Sequence, residues 1–295
     1  MLDAPATVAP RPHATHARLQ GQTWVGVAAW MVAIAVVLII CLWPFWYMIS
    51  TALMTSDQYF IPALQWFPKP PTWDNVSRAW NTVPFATYYS NTFIIEFWTL
   101  LGTTISASMI AYAFARLRWP GRDVCFIILL GTIMLPQQVT MIPQYIIFRQ
   151  LGWINTWLPL IVPAFLGGSP FYIFLLRQFM RSIPRELSEA ARLDGCTEFR
   201  IFWSIILPLC KAALAAVAIF TFVATWNDFL NPLIYLQSAD KKTVALGLLS
   251  FTSQFGTDVT ALLAASSIAV IPPVLLFLIA QRYFIEGIAM TGVKG

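Results

Sequence analysis

Residues Trp24 through Ile49 run for 26 positions without a charged side chain. As a helix this stretch extends about 39 Å, against a bilayer hydrocarbon core of about 30 Å. It is too long for a secretory signal core, and no small-residue cleavage site follows it. Composition agrees. Hydrophobic residues make up 58% of the 295-residue chain and charged residues 11%, where a soluble domain carries about 25% charged. A water-soluble enzyme, a disordered binder and a secreted disulfide scaffold are excluded, because too few polar groups exist to cover a folded surface. The chain reads as an all-α integral membrane protein.

Five further spans are expected at 92–115, 124–148, 157–176, 212–236 and 259–281, giving six transmembrane helices. Thirteen of the eighteen basic residues fall on one side if the N-terminus is cytoplasmic, among them Arg116, Arg118, Arg122, Arg177, Arg181, Arg185, Arg192 and Arg200. Lys69, Arg78, Arg149, Lys241 and Lys242 fall on the other. The positive-inside rule then orients both termini inward. This divides the chain into a cytoplasmic, disordered tail (1–22), a first helix (23–50), an extracytoplasmic loop (51–91), a five-helix core (92–282) containing a cytoplasmic loop at 177–210 between spans 4 and 5, and a cytoplasmic C-terminal tail (283–295). The cysteines Cys41, Cys125, Cys196 and Cys210 form no CxxC pair and read as packing residues. His13 and His16 read as solvated tail residues, and no metal site is expected.

Four spans are interrupted: at Pro136 and Pro143, at Pro159, Pro163, Gly167, Gly168 and Pro170, at Asn227–Pro232, and at Pro272–Pro273. Proline frees carbonyls that lipid cannot satisfy, so the interruptions fit kinked packing or a lined path. Gln137, Gln138, Asn227, Asp228 and Asn231 are the candidate cavity residues. Glu96 and Asp228 are the two ionisable side chains at membrane depth, where a carboxylate must face a partner helix, a cavity or the interface. Glu96 reads as interfacial or packing, Asp228 as a hydrogen-bond node or cavity wall.

The 177–210 loop carries the most information. Leu187, Ala190, Ala191 and Asp194 are spaced to share one helical face. Glu186 suits a first turn, and Gly195 suits a helix end at positive φ. A second short helix is expected from about Thr197, with Phe199, Phe202, Trp203 and Ile206 as its apolar face before Pro208. Such a knob fits packing on the chain's own helices and docking into a soluble partner equally well.

Glu189-Ala190-Ala191, Gly195, Ile205 and Leu207-Pro208 stand at the spacing of the EAA loop, so the chain resembles the permease subunits of bacterial ABC importers. Ala111–Arg116 with Gly121-Arg122, Met134-Leu135-Pro136, Ile142-Pro143, Leu151-Gly152 with Asn155-Thr156, Leu176–Phe179 and Thr221–Phe229 with Pro232-Leu233 extend the resemblance. So does Gly292–Gly295. Together they are similar to the second, maltose-type subunit of carbohydrate importers; Asn91-Thr92, where that family often has Asn-Ser, is a mild departure. The resemblance implies a sugar-import permease subunit of the bacterial inner membrane, not itself an enzyme. It implies a homologous second permease, two ATPase subunits that carry the ATP and Mg, and an extracytoplasmic solute-binding protein. Glu189, Ala190, Ala191, Gly195, Ile205, Leu207 and Pro208 would couple to the ATPase. This chain lacks the GxxxxGK[ST] run of a nucleotide-binding loop. Importers of glycerol-3-phosphate, amino acids or metals share the docking loop, whereas a self-contained secondary transporter or a membrane scaffold would leave it unexplained.

Overall fold

The computed structural model describes residues 24–61, 65–253 and 256–292. Residues 1–23, with His13 and His16, and residues 293–295 of the C-terminal run lie outside the described residues. The chain divides into two compact units, 1–48 and 49–295. Most of α1 (Trp24–Ala52) belongs to the first and carries Pro44 within it. The second begins in the last turn of α1 and continues through α2 (Ser56–Tyr59) and α3 (Asp74–Thr82). Asn75 stitches this loop together: it is buried, and its amide donates to the carbonyls of Ala52 and Met54 at 2.8 and 2.6 Å.

The axis of the second unit is α4 (Phe85–Arg116), 32 residues long. It packs against α8, α12 and the 3₁₀ turn described below. It starts seven residues before the expected 92, because Pro84 sets its first turn and the polar run that follows is helical. Glu96 therefore lies three turns inside the helix rather than near its end. It is 3% exposed, and neither of its oxygens has a hydrogen-bond partner among the described residues.

The expected third span is two helices, α5 (Arg122–Thr132) and α6 (Gln137–Gln150), bent by 101° where Pro136 intervenes. The fourth is α7 (Leu158–Ile161), a 3₁₀ turn (Val162–Leu166) and α8 (Pro170–Ser182), interrupted at Gly167 and Gly168. The Ser106 hydroxyl fills this gap: it donates to the Ala164 carbonyl at 2.7 Å and accepts from the Gly167 N–H. A neighbouring helix thereby satisfies backbone groups that lipid could not.

After α8 come α9 (Glu186–Leu193), α10 (Glu198–Ile201), a π turn (Phe202–Ile206), α11 (Leu207–Leu209), α12 (Lys211–Trp226), α13 (Leu230–Tyr235) and α14 (Val244–Gly247). A two-residue antiparallel ladder pairs Thr252 with Thr257 before α15 (Val259–Gly292). The π turn precedes Pro208, which lacks an N–H and crowds the carbonyl four residues back; the widened turn instead bonds Leu207 N–H to Phe202 O. Among the described residues, four helices or joined segments are long and apolar enough to cross a bilayer, and two bent pairs bring the number to six if each is one span.

Two cores lie at opposite ends of α4. One gathers Phe85 and Tyr88 with Val244 and the alanines of α15. The other gathers Ala107, Ala111 and Tyr112 with α8, α12 and the 186–210 segment. The small α4 side chains permit the close approach typical of membrane helices.

Candidate functional site

The segment between α8 and α12 is a knob built from two local motifs. At the end of α9, the Cys196 N–H bonds to the Ala191 carbonyl at 2.9 Å and the Gly195 N–H to Arg192 O at 3.0 Å. With Gly195 at φ +79° this is a Schellman ending. Immediately afterwards the Thr197 hydroxyl accepts from Arg200 N–H and caps α10. The chain thus turns from α9 into α10 within four residues, 194–197.

The knob faces two ways, and the expected face of α9 is corrected. Ser188 and Ala191 are buried, while Leu187, Ala190 and Asp194 face outward. Ala191 joins the core with Ile201, Phe202 and Ile206. Of the expected apolar face of the second helix, Phe202 and Ile206 are buried, whereas Phe199 and Trp203 stack on each other outside. Leu193, at 90% exposure, completes an apolar outward surface. Glu189 is exposed, Ile205 and Leu207 pack half-buried against the core, and Pro208 is exposed.

A polar bridge missed by the sequence reading fixes the knob to α4. Arg192 Nε donates to Glu198 Oε1 at 2.6 Å, and the Tyr112 hydroxyl donates to Glu198 Oε2 at 2.6 Å. The Arg192 guanidinium, aided by that hydroxyl, holds the Glu198 carboxyl below the usual carboxylate range despite partial burial. The Tyr112 ring rests on Phe202 at 5.2 Å, and Arg116 donates to Ile183 O at 2.7 Å. Opposite charges at 192 and 198 were visible in the sequence, but their meeting depends on the turn at Gly195.

Between α6 and α13 the structure joins three cavity candidates. Gln137 Nε2 donates to Asn231 Oδ1 at 3.3 Å, and the Asp228 carboxylate accepts from Asn231 N–H and Nδ2 at 3.2 and 2.8 Å. Asp228 is thereby a hydrogen-bond node bridging the break before α13. Asn227 turns back to the Val223 carbonyl, and Gln138 is exposed on α6.

The loops at the opposite end of α4 are tied by Asn155, a residue at φ +60°, where asparagine is one of the few tolerated side chains. Its Oδ1 accepts from Gln237 and Ser238 N–H, its amide donates to Ser238 Oγ, and its carbonyl accepts from Lys241 Nζ. Among the described residues no group of three His, Cys, Asp or Glu side chains is arranged to hold a metal.

Residues 102–289 match the model of the binding-protein-dependent transport system inner membrane component. A probable ABC transporter permease protein of Bacillus subtilis, YurM, is 35% identical over 274 residues, covering 92% of this chain and 88% of the relative. The arabinooligosaccharides transport system permease AraQ of Halalkalibacterium halodurans is 38% identical over 71% of this chain and 74% of the relative. The sn-glycerol-3-phosphate transport system permease UgpE of Yersinia pestis is 34% identical over 88% and 93%. A chain in the crystal structure of a bacterial ABC transporter that imports the acidic polysaccharide alginate superposes with a TM-score of 0.80, over 90% of this chain and 98% of that one, at 22% identity. That superposition establishes shared fold.

Proposed function

The chain belongs to the family of inner membrane components of binding-protein-dependent transport systems, and on that premise we propose that it is one permease half of an ATP-driven importer of sugars or oligosaccharides. In this reading it crosses the membrane six times with both termini cytoplasmic. The broken pair α5 and α6 is one span, the joined α7–α8 segment another, and α12 with α13 a third. The separation of loops supports this: Arg116, Arg192 and Glu198 meet at one end of α4, Asn155, Ser238 and Lys241 at the other.

A homologous, distinct permease would complete the path, two ATPase subunits would bind the ATP and Mg, and an extracytoplasmic binding protein would deliver the solute. The carrying observation is the two-faced knob: one face is packed and bridged to α4, and the other leaves Leu187, Leu193, Phe199 and Trp203 exposed. Closure of the ATPases would grip the outward face, with Glu189 at its edge, Ala190 allowing close approach and Gly195 fixing the turn. The bridge would carry that movement into α4, shifting the population between inward- and outward-facing states. Ile205 and Leu207 would hold the knob's shape from within, and Pro208 would set the widened turn that ends it. Gln137, Gln138, Asn227, Asp228 and Asn231 would border the path.

The relatives named for arabinooligosaccharides and for glycerol-3-phosphate define the two arms of the test. The assembled complex is given each binding protein with a panel of oligosaccharides and glycerol-3-phosphate, and stimulated ATPase activity is read. Stimulation by an oligosaccharide supports the proposal. Stimulation by glycerol-3-phosphate alone reassigns the solute, and no stimulation by any of the panel refutes it.

A further inference from the structure

Arg116 closes α4 and Arg122 opens α5, and between them the chain turns at the edge of the membrane in the reading above. Trp119–Arg122 form a turn with Pro120 at its second position and Gly121 at φ +81° at its third, the type II pattern, closed by Arg122 N–H to Trp119 O. The turn delivers α5 with no side-chain cap on its first turn, the part of a helix where backbone N–H groups lack intrahelical partners.

A cavity of about 460 Å³ lies against this helix start, lined by Arg118, Trp119, Gly121, Arg122, Asp123, Val124 and Arg185. A second of about 610 Å³ adjoins it through Arg118, Trp119, Arg122 and Arg185 and reaches Arg116, Glu189, Arg192 and Glu198. The cations are unequal in freedom. Arg116 is held by Ile183 O and Pro184 O, and Arg122 by Asp123 and Leu117 O. Glu198 is taken up by Arg192 and Tyr112. Arg118 and Arg185 form no hydrogen bond or ion pair among the described residues, although both line both cavities. In the first cavity two guanidinium forks and the helix start meet one carboxylate, Asp123, which already holds Arg122; Glu189 and Glu198 line only the second.

Guanidinium forks match the geometry of phosphate oxygens, and helix starts favour anions. An apolar track leads away from the cavity: Val124, Ile127 and Ile128 of α5 are 62–68% exposed, beside Trp119. A free phosphate would use the cations alone, whereas an amphiphile would use both. We propose that Arg118 and Arg185, with the start of α5, bind the headgroup phosphate of an anionic phospholipid whose acyl chains lie along Val124, Ile127 and Ile128. The proposal rests on the span assignment above, and basic pockets between helices at the cytoplasmic face are suited to such headgroups.

The full-length chain, with the subunits that co-purify, is placed in micelles containing equal phosphatidylglycerol and phosphatidylcholine. Bound lipid per chain is counted by native mass spectrometry. The unmodified protein is expected to retain phosphatidylglycerol selectively, and a tenfold excess of inorganic phosphate should leave it bound. Arg118→Gln with Arg185→Gln should weaken retention about thirtyfold, about fivefold per arginine. Arg200→Gln, an exposed arginine of the same loop, should not change it.

Four results would overturn the proposal: no selectivity in the unmodified protein, displacement by phosphate, an equal loss in R200Q, or ATPase-subunit dissociation from the double variant with its lipid intact. The selectivity arm needs no variant to fold. A chain that does not fractionate with membranes would defeat the span assignment, whereas a membrane-bound chain without selectivity defeats this inference alone.

Discussion

Substitution of Gly195 separates what the turn needs from what the docked surface needs. A Cβ placed there meets nothing within 4 Å, and φ is +79°. The cost to the fold is therefore conformational and independent of side-chain size: about 1–2 kcal/mol for an ordinary L-residue in the left-handed region, less for asparagine. G195A and G195R should destabilise the chain equally by that amount, and G195N by less. If the outward face of the knob seats in an ATPase cleft, they should part company in function. G195N and G195A should retain most of the binding-protein-stimulated ATPase activity. G195R, with a long cation on that surface, should abolish stimulation while membrane insertion is unchanged. The assays are thermal unfolding in detergent and stimulated ATPase in the reconstituted complex. Unchanged stimulation in G195R would remove the docking role. Equal loss in G195A and G195R would show that turn geometry alone matters, and a stability loss well beyond 2 kcal/mol in G195A would refute the open-space reasoning itself.

Glu198→Gln should cost below about 1 kcal/mol, because Glu198 and Arg192 are each about 40% exposed, yet it should reduce stimulated ATPase activity disproportionately by loosening the knob from α4. The Glu198 carboxyl is held below its ordinary 4.5, so its stabilisation is present above that value and lost as pH falls through the folded-state value. The melting difference between wild type and E198Q should thus be flat from pH 6 to 8 and shrink below about pH 4.5. Asn155→Ala should lower stability by about 1–3 kcal/mol through unpaired Gln237 and Ser238 N–H groups and the left-handed backbone. Asn155→Gly should recover only the backbone part, as read by detergent melting. Gly102→Ala places a Cβ 2.6 Å from the Phe165 ring and should cost about 1–3 kcal/mol by overpacking. Adding Phe165→Leu should recover much of that loss if the ring is its cause.

Legibility in the sequence followed the range of the interactions. The α9 ending and α10 cap are each closed within six residues, so Gly195 and Thr197 announce them without knowledge of the fold. Hydrophobic runs likewise located the long apolar helices, but the start of α4 at Phe85 was hidden because Tyr88, Ser90 and Asn91 interrupt the apolar pattern. Asn91 and its neighbour Thr92 have partners far away: Asn91 donates to the carbonyls of Asp240 and Lys242, and Thr92 accepts from Val244 N–H. The same reason concealed the Tyr112–Glu198 bridge and the Asn155 lock. Each joins residues 80 or more positions apart, and no local period encodes such a pairing.

The same distinction explains why the knob is a sharper candidate site than the polar groups at the α6–α13 junction. Docking needs a rigid shape turned outward, and local motifs plus one buried face supply it within this chain. A path needs a wall on its far side. Gln137, Asn231 and Asp228 satisfy one another across the α6–α13 junction, so their hydrogen bonding accounts for their presence as structure before any solute is invoked. Conversion of that chain into a path surface requires a second wall, supplied in the proposed assembly by the homologous permease. Variants of the knob should therefore act on coupling even when solute binding is intact. Variants such as Asn231→Ala should first loosen the 227–235 break, and should alter solute preference only in the assembled complex.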